Sequence, residues 1–226
     1  MKVISISQSN YIPWRGYFDI IARSDIFVIY DTAQYTKNDW RNRNKISTKQ
    51  GSQWLTIPVK HKHLNQSIYS IEIHNDKWNK KHWKTLEQNY KNHPHFDEYH
   101  SRFKPIYQQD WKYLSELNYA LILEINKCLN IKTKILNSNE LQIPPNTDRN
   151  QKIVDMCKIL EADIYLSGPA AKGYINNRLF AEKSIEVQWM DYSHYSNYPQ
   201  VNKIDDENLS IIDLIFNVGP NSRDYI

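Results

Sequence analysis

Two apolar runs near the start of the chain constrain its fold more than any other feature. Residues 2–7 (KVISIS) and 26–31 (IFVIYD) each read as a buried strand, and the segment between them has helical spacing, with Phe18 and Ile21 on one face. A strand, a loop, a short helix and a second strand predict a βαβ unit. Its strands should be parallel, so functional side chains are expected at their carboxyl ends.

The rest of the chain alternates strands and helices around one helical segment. Strand patterns follow at 53–59, 67–73, about 132–136, 163–168 and 185–192. Helical patterns occur at about 148–160, from Ala170, and over LSIIDLIFNVG near the end. Residues 76–130 read as three helices broken near Pro94 and Asp110. We therefore predict an α/β fold over residues 1–226, with a mainly parallel sheet core, flanking helices and a helical insertion or cap at about 76–130.

Composition limits the function classes. The chain carries 29 Lys and Arg against 25 Asp and Glu, a net charge of +4, which permits an anionic ligand but is less basic than a dedicated nucleic-acid binder. Its 7 Trp and 16 Tyr are many, and such rings fill cores or line sites for flat or sugar-like ligands. The start MKVISIS leads straight into a strand pattern, and no stretch is apolar enough to span a membrane, so we expect a cytoplasmic protein.

Neither a covalent nucleophile nor a metal site is expected. Cys128 and Cys157 lie in apolar helical patterns without a second ligand at metal spacing, so they read as buried thiols in a reducing compartment. His61 and His63 alternate, but no carboxylate stands where it would complete a zinc set. The sequence contains no Gly-x-Ser-x-Gly elbow.

Two loops combine polar groups with large rings. In QSNYIPWRGY, after the first strand, Tyr11, Trp14 and Arg15 stand where a loop that only turns would use Gly, Asp or Ser. The second loop, DTAQYTKNDWRNRNK at 31–45, mixes cations and amides with aromatic residues: Lys37, Arg41, Asn42, Arg43, Asn44 and Lys45 with Tyr35 and Trp40. This mixture suits a phosphate beside a flat ring, although a solvated basic surface has a similar composition.

A third loop and one histidine complete the candidates. The loop LSGPAAKGY at 166–174 runs from a strand into a predicted helix, where backbone N–H groups and Lys172 would favour an anion. Ser167 and Pro169 would equally serve to begin a helix. His82 shares a helical stripe with Leu86 and Tyr90, so it either faces the core or acts as an acid or base in a cleft. Parallel strands would bring the three loops together.

These segments resemble one family along nearly the full chain. SQSNYIPWRGYFD, SDIFVIYDTAQYTKNDWRNRNKI, WLTIPV, KKHWKTLEQNY, YLSGPAAKGY, YPQ at 198–200 and LSIIDLIFNVG agree in order and spacing with the WbqC-like protein family. Many members begin His-Gln-Pro-Asn-Tyr-Leu-Pro-Trp, whereas Ser7 and Ser9 here replace the first histidine and the first proline. The resemblance implies the following site residues: Gln8, Asn10, Tyr11, Pro13, Trp14, Gly16, Tyr17, Asp31, Gln34, Lys37, Trp40, Asn42, Arg43, Asn44, His82, Tyr90, Ser167, Gly168 and Lys172.

The resemblance also implies a context. Such proteins are generally encoded among genes for O-antigen, capsule or other surface-glycan synthesis and are suspected of modifying nucleotide-linked amino sugars. We expect a transferase that adds an acyl or aminoacyl group to the amine of a nucleotide-linked deoxyamino sugar, with an acyl thioester, an aminoacyl-tRNA or an ATP-activated acid as donor. In this hypothesis cations hold the diphosphate, rings stack on sugar or base, and a base takes the amine proton: Lys37, Arg41 and Arg43; Tyr11, Trp14 and Trp40; Asp31 or His82.

Two other functions stay open. The first strand leads into a Gln/Pro/Trp loop, and SGPAAK offers a second anion site, an arrangement similar to enzymes that bind ATP at two such loops. An ATP-using ligase or nucleotidyltransferase acting on a sugar intermediate is therefore one alternative, although the paired histidines of those enzymes are absent. A non-catalytic module that organises glycan assembly is the other. Nucleic acid is expected only as a tRNA donor.

Overall fold

The computed structural model describes residues 1–74, 76–145, 148–204, 206 and 208–226, and the chain divides into two compact units. The first, called the sheet unit, comprises residues 1–8, 19–32 and 132–194. The second, called the helical unit, comprises residues 9–18, 33–131 and 195–226. Each unit is therefore assembled from three separate stretches of the chain.

Strands and helices alternate along much of the chain. The strands are β1 (Val3–Ser7), β2 (Ile26–Ile29), β3 (Arg43–Thr48), β4 (Gly51–Thr56), β5 (Val59–Lys60), β6 (Glu72–Ile73), β7 (Lys134–Asn137), β8 (Ile164–Ser167) and β9 (Glu186–Trp189). The α-helices are α1 (Arg15–Ala22), α2 (Trp78–Tyr90), α3 (Phe96–Gln108), α4 (Leu114–Cys128), α5 (Arg149–Ile159), α6 (Asn177–Ala181) and α7 (Ile211–Val218).

The sheet unit is built on five parallel strands in the order β7-β2-β1-β8-β9. Their β-branched and aromatic runs suit strands that are covered on both faces. The order reverses at β1, because β2 and β7 lie on one side of it and β8 and β9 on the other. This confirms the predicted α/β fold and the parallel first βαβ unit.

Helices cover the two faces of this sheet separately. On one face, Ile4 and Ile6 of β1 pack with Val154 and Cys157 of α5 in one apolar cluster. On the other face, the buried hydroxyl of Ser24, just after α1, donates to Ser5 Oγ at 2.7 Å. Because alternate β1 residues face opposite ways, α1 and α5 lie on opposite faces, as in a doubly wound fold.

Among its described residues, the helical unit contains α2, α3, α4 and α7 together with two antiparallel strand pairs. β3 pairs with β4, and β5 pairs with β6. Aromatic rings fill the space between α2, α3 and α7, where Phe216 lies 5.1 Å from Phe96 and 5.9 Å from Phe103 between ring centroids. α2, α3 and α4 confirm the helices predicted within 76–130. Their description as an insertion in one domain stays a prediction.

Three local predictions were wrong. Residues 43–48 form a strand, although 43–45 were predicted as the end of a loop. The strand was missed because the inward position 44 is an amide rather than an apolar residue. The predicted strand at 67–73 is a 3-10 turn (Ile68–Ser70) followed by the short β6. The helix predicted from Ala170 is a 3-10 turn over Pro169–Gly173.

A fully buried carboxylate organises the end of the helical unit. Asp213 Oδ1 accepts hydrogen bonds from the hydroxyls of Ser47 at 2.5 Å and Tyr90 at 2.9 Å. Its Oδ2 accepts from the Tyr198 hydroxyl at 2.7 Å and from Gln200 Nε2 at 3.0 Å. A carboxylate out of water needs such donors, so Asp213 ties β3, α2 and the 198–200 segment to α7.

Removing one of these donors should destabilise the protein measurably. Tyr198→Phe should lower the free energy of unfolding by about 1.5–3 kcal/mol, because a hydrogen bond to a buried charged group is lost. Urea titration followed by tryptophan fluorescence measures the change. Tyr69→Phe is the matched control, since Tyr69 is 50% exposed and should tolerate the change. Equal stability of the two variants would show that the hydrogen bond from Tyr198 to Asp213 contributes nothing to stability.

Candidate functional site

In the sheet unit, the strand-order reversal lies between β1 and β8. Gln8 directly follows β1, and Ser167 and Gly168 stand at the end of β8. In open parallel sheets, ligands bind outside the carboxyl ends of the strands at this kind of reversal, because the flanking connections leave in opposite directions and open a crevice. The structure therefore puts three predicted site residues at the edge of the sheet where a ligand is expected.

Asp31 stands at the same edge, just beyond β2, and is only 4% exposed. The next residue, Thr32, is anchored to the turn after β7. Its backbone N–H donates to Ser138 Oγ at 3.3 Å, and the two hydroxyls lie 3.0 Å apart. The position of the Asp31 backbone is thereby fixed by its neighbour, which suits a carboxylate that must meet a substrate in one geometry.

The segment after β8 differs from the predicted anion site. The 3-10 turn Pro169–Gly173 has no α-helical first turn, so the predicted helix-dipole contribution loses its basis. Lys172 is exposed in this turn, with Nζ 5.9 Å from the centroid of the Trp189 ring. Lys172 therefore offers a cation near the carboxyl ends of β8 and β9, without help from a helix terminus.

In the helical unit, residues 9–14 of the loop after β1, called the opening loop, are held in a strained conformation. Ile12 has φ of 37°, in the left-handed region that a β-branched residue rarely adopts. The Nδ2 of buried Asn44 donates to the carbonyls of both Tyr11, at 3.2 Å, and Ile12, at 2.8 Å. The Tyr11 N–H also donates to the Trp40 carbonyl at 3.0 Å. Three hydrogen bonds at about 0.5–1.5 kcal/mol each offset a strain of about 1–3 kcal/mol.

Below this loop, Tyr11, His82 and Tyr107 form a buried chain of hydrogen bonds. The Tyr11 hydroxyl lies 2.9 Å from His82 Nδ1 and 2.7 Å from the Tyr107 hydroxyl. Burial lowers the pKa of His82 to about 4, although a hydrogen bond to the Thr56 backbone opposes this. His82 is therefore neutral at pH 7, and every group is satisfied if Tyr107 donates to Tyr11 and Tyr11 donates to His82.

Arg41, predicted to hold a diphosphate, is engaged within the helical unit. Its Nη1 donates to the Asn10 side-chain oxygen and, at 3.4 Å, to the Ser9 carbonyl, while Nη2 lies 3.5 Å from Asp39 Oδ2. Its backbone carbonyl accepts from Asn118 Nδ2 at 2.9 Å. Arg41 therefore connects the opening loop to the second predicted loop, and its contact with a ligand stays a prediction.

Trp14 and Arg15 complete the opening loop. The Trp14 ring packs so closely on Gly16 that a Cβ there would lie 2.4 Å from ring carbon Cζ2. Arg15 is buried and donates from Nη1 to the carbonyl of Ser196 at 2.8 Å. Its guanidinium lies 4.5 Å from the centroid of the Tyr195 ring. The large side chains of this loop thus hold the C-terminal segment, which explains why small turn residues would not suffice.

Other predicted site residues divide into buried and exposed groups. Asn42 donates from Nδ2 to the Ile57 carbonyl at 2.8 Å, and Tyr17 and Tyr90 are buried. Three residues are at the surface: Gln34, Lys37 and Trp40. Gln34 donates from Nε2 to the Leu64 carbonyl. Contact of any of these residues with a ligand stays a prediction.

Sequence reasoning missed several polar and aromatic residues. The sequence does give one indication that Asp213 is buried, because it is the lone acid in the apolar helix pattern LSIIDLIFNVG. Its donors Tyr198 and Gln200 lie in the YPQ segment, but nothing in the sequence pairs them with Asp213. Trp54 faces solvent from β4, which only the register of the β3–β4 pair reveals.

The fold and the polar edge at β1, β2 and β8 define a class: doubly wound α/β proteins, in which ligands bind at the reversal of strand order. Within that class, the chain belongs to the WbqC-like protein family, whose model matches residues 8–225. It is 44% identical over 228 residues to the uncharacterized protein Rv1507c of Mycobacterium tuberculosis, a match covering 100% of this chain and 98% of that protein. No solved structure is significantly similar. Among the described residues, no helix has the length and apolarity needed to cross a membrane.

The buried position of His82 predicts a pH dependence of stability. Its pKa is about 4 in the folded protein and about 6.5 when unfolded, so the unfolded chain binds more protons between these values. The free energy of unfolding therefore keeps its full value above pH 6.5. It falls as the pH drops toward 4, by up to about 1.4 kcal/mol per pH unit. His82→Gln should show a shallower slope by about one proton in urea titrations between pH 4.5 and 6.5.

The exposed histidine His63 supplies the control. His63→Gln makes the same substitution at an exposed position and serves as the matched control. If His82→Gln and His63→Gln show the same slope, the low pKa assigned to His82 is wrong.

Proposed function

We propose that this protein transfers an acyl or aminoacyl group to the amine of a nucleotide-linked deoxyamino sugar, in the cytoplasm, during synthesis of O-antigen lipopolysaccharide or another surface glycan. The observation that carries the proposal is the buried carboxylate of Asp31 at the carboxyl edge of the sheet, one strand from the reversal of strand order. Membership of the WbqC-like family supports the surface-glycan context.

The chemistry needs a base and an oriented amine. The amine nitrogen attacks the acyl carbon, the amide bond forms, and the bond from that carbon to the leaving group of the donor breaks. Asp31 takes the proton that the amine loses. Gln8 and Ser167 supply hydrogen-bonding groups at the reversal point, and Lys172 supplies positive charge for an anionic part of the substrate. The donor is an acyl thioester, an aminoacyl-tRNA or an activated acid.

His82 is the second candidate for the base. Its low pKa keeps the ring neutral at pH 7, so it is able to accept a proton. It is 7% exposed, and Nδ1 already pairs with Tyr11. Asp31 is preferred because it stands at the sheet edge where substrates bind in this fold class.

Mass spectrometry tests the transferase reaction. The protein is incubated with a thymidine diphosphate-linked amino-dideoxyhexose and a panel of acyl thioesters, charged tRNAs, and free acids with ATP. We expect a mass gain equal to one acyl or aminoacyl group with one donor class. The absence of a mass gain with every donor, for an amino sugar that the host acylates, would contradict the proposal.

Asp31→Asn separates a base from a scaffold residue. The amide keeps the shape but does not accept a proton, so the variant should fold, bind the nucleotide sugar normally and lose about 10²- to 10⁴-fold in turnover. The matched control is Asp163→Asn, whose carboxylate precedes β8 at the opposite edge and accepts from the Lys2 N–H at 2.6 Å. Near-normal turnover of Asp31→Asn would transfer the base role to His82.

One observation favours a second function. Numbered in chain order within the sheet, the strands run 3-2-1-4-5, which is the order of a doubly wound nucleotide-binding fold without its sixth strand and suits an ATP-using ligase or nucleotidyltransferase. Release of ADP or pyrophosphate that requires both ATP and an amino-sugar substrate would favour this reading. Failure of millimolar ATP to raise the melting temperature would count against it.

A further inference from the structure

The outward side of the β3–β4 pair carries an exposed aromatic surface. Trp54 of β4 lies directly opposite Lys45 of β3, and Trp54 is 41% exposed. Trp40, just before β3, is 37% exposed, and the two ring centroids are 5.3 Å apart with planes tilted by 36°. We call Trp40, Trp54 and Arg43 the tryptophan platform. All three residues belong to the helical unit.

The alternation of β3 and β4 explains why Trp54 faces outward. Asn44 and Ile46 point to the interior, where they are buried, so Arg43 and Lys45 point to the opposite side. Leu55 is buried on β4, and its neighbour Trp54 therefore shares the outward side with the two cations. Core packing thus explains the inner side but gives no reason for two tryptophans on the outer side.

The cations beside the platform differ in their partners. Lys45 Nζ lies 5.4 Å from the centroid of the Trp54 ring, but it is paired with Asp206 at 2.8 Å. The Arg43 guanidinium lies 4.4 Å from the same centroid, and its Nη2 donates to the backbone carbonyl of Asn38. Within the described part of the chain, no carboxylate forms a salt bridge with Arg43. The platform therefore combines two partly exposed tryptophans with a guanidinium that forms no salt bridge with any of the described acidic residues.

We propose that the tryptophan platform binds a nucleoside diphosphate, with the base stacked on the indole rings and the diphosphate paired with Arg43. This goes beyond the proposed function, on which it rests for the kind of ligand, by assigning a nucleoside diphosphate site to Trp54 and its neighbours within the helical unit. A flat base has a π-face that stacks on an indole ring. The diphosphate supplies negative charge that pairs with the Arg43 guanidinium. An uncharged saccharide would match the rings but not the cation.

Calorimetric titration with thymidine diphosphate tests the stacking contact. Trp54→Ala should weaken binding about 5- to 150-fold, the effect of losing one base–aromatic stack. Trp54→Phe keeps a ring and should bind within about fivefold of the unaltered protein. Tyr69→Ala, which removes another exposed ring from the helical unit, should leave the Kd unchanged. Equal affinity of Trp54→Ala and Tyr69→Ala would overturn the assignment.

The charge of the ligand provides a second, independent test, which compares thymidine diphosphate with uncharged thymidine. Arg43→Gln should weaken thymidine diphosphate about 10- to 100-fold and leave binding of uncharged thymidine nearly unchanged. Preference for an uncharged monosaccharide over thymidine diphosphate would also overturn the assignment. If the unaltered protein acylates the amino sugar while Trp54→Ala binds thymidine diphosphate normally, the platform assignment fails alone. If no nucleoside diphosphate binds the unaltered protein, the platform and the nucleotide-linked substrate fail together.

Discussion

The reversal of strand order at β1 is the constraint on which the sheet unit depends. Parallel strands need crossover connections. Right-handed crossovers that run in opposite directions across the sheet, from β1 to β2 and from β7 to β8, place α1 and α5 on opposite faces. The carboxyl ends of β1 and β8 are then the two neighbouring ends whose connections diverge. Polar residues placed there are available to a ligand, whereas the same residues at the amino edge would only begin strands.

Two buried polar centres play the corresponding part in the helical unit. Asp213 collects hydrogen bonds from three parts of the chain, and Asn44 holds two consecutive carbonyls of the opening loop. Both lie out of water, where an unmatched polar group is costly, so each specifies one arrangement of the segments around it. The strain at Ile12 persists because the bonds on both sides of it over-determine the backbone.

The fold was predictable where apolar periodicity and chain order agree. Local apolar patterns predict β1, α1, β2 and the three helices within 76–130. In the structure, the apolar faces of these elements are buried, in agreement with the patterns. β3 was missed because its inward position 44 is an amide rather than an apolar residue. The turn at 169–173 was read as an α-helix because a cap, a proline and two alanines suit either conformation, and only the tertiary structure decides between them.

The candidate site was predictable only in part. Gln8, Asp31 and Ser167 were selected because they follow strands, and a parallel sheet puts all strand ends at one edge. The contacts of Tyr11 with His82 and Tyr107 join residues far apart in sequence, so no local pattern shows them. Trp54 was overlooked for a related reason. Its exposure depends on the register with β3, which the sequence does not state.

Amide hydrogen exchange in the presence of the substrate tests the central claim most directly. A thymidine diphosphate-linked amino-dideoxyhexose should slow exchange at Gln8 and at residues 167–168, where β1 and β8 end, and leave the amide of Asp163, at the opposite edge of the sheet, unchanged. A saturating substrate that leaves exchange at Gln8 and 167–168 unchanged would contradict the placement of its site at the strand-order reversal.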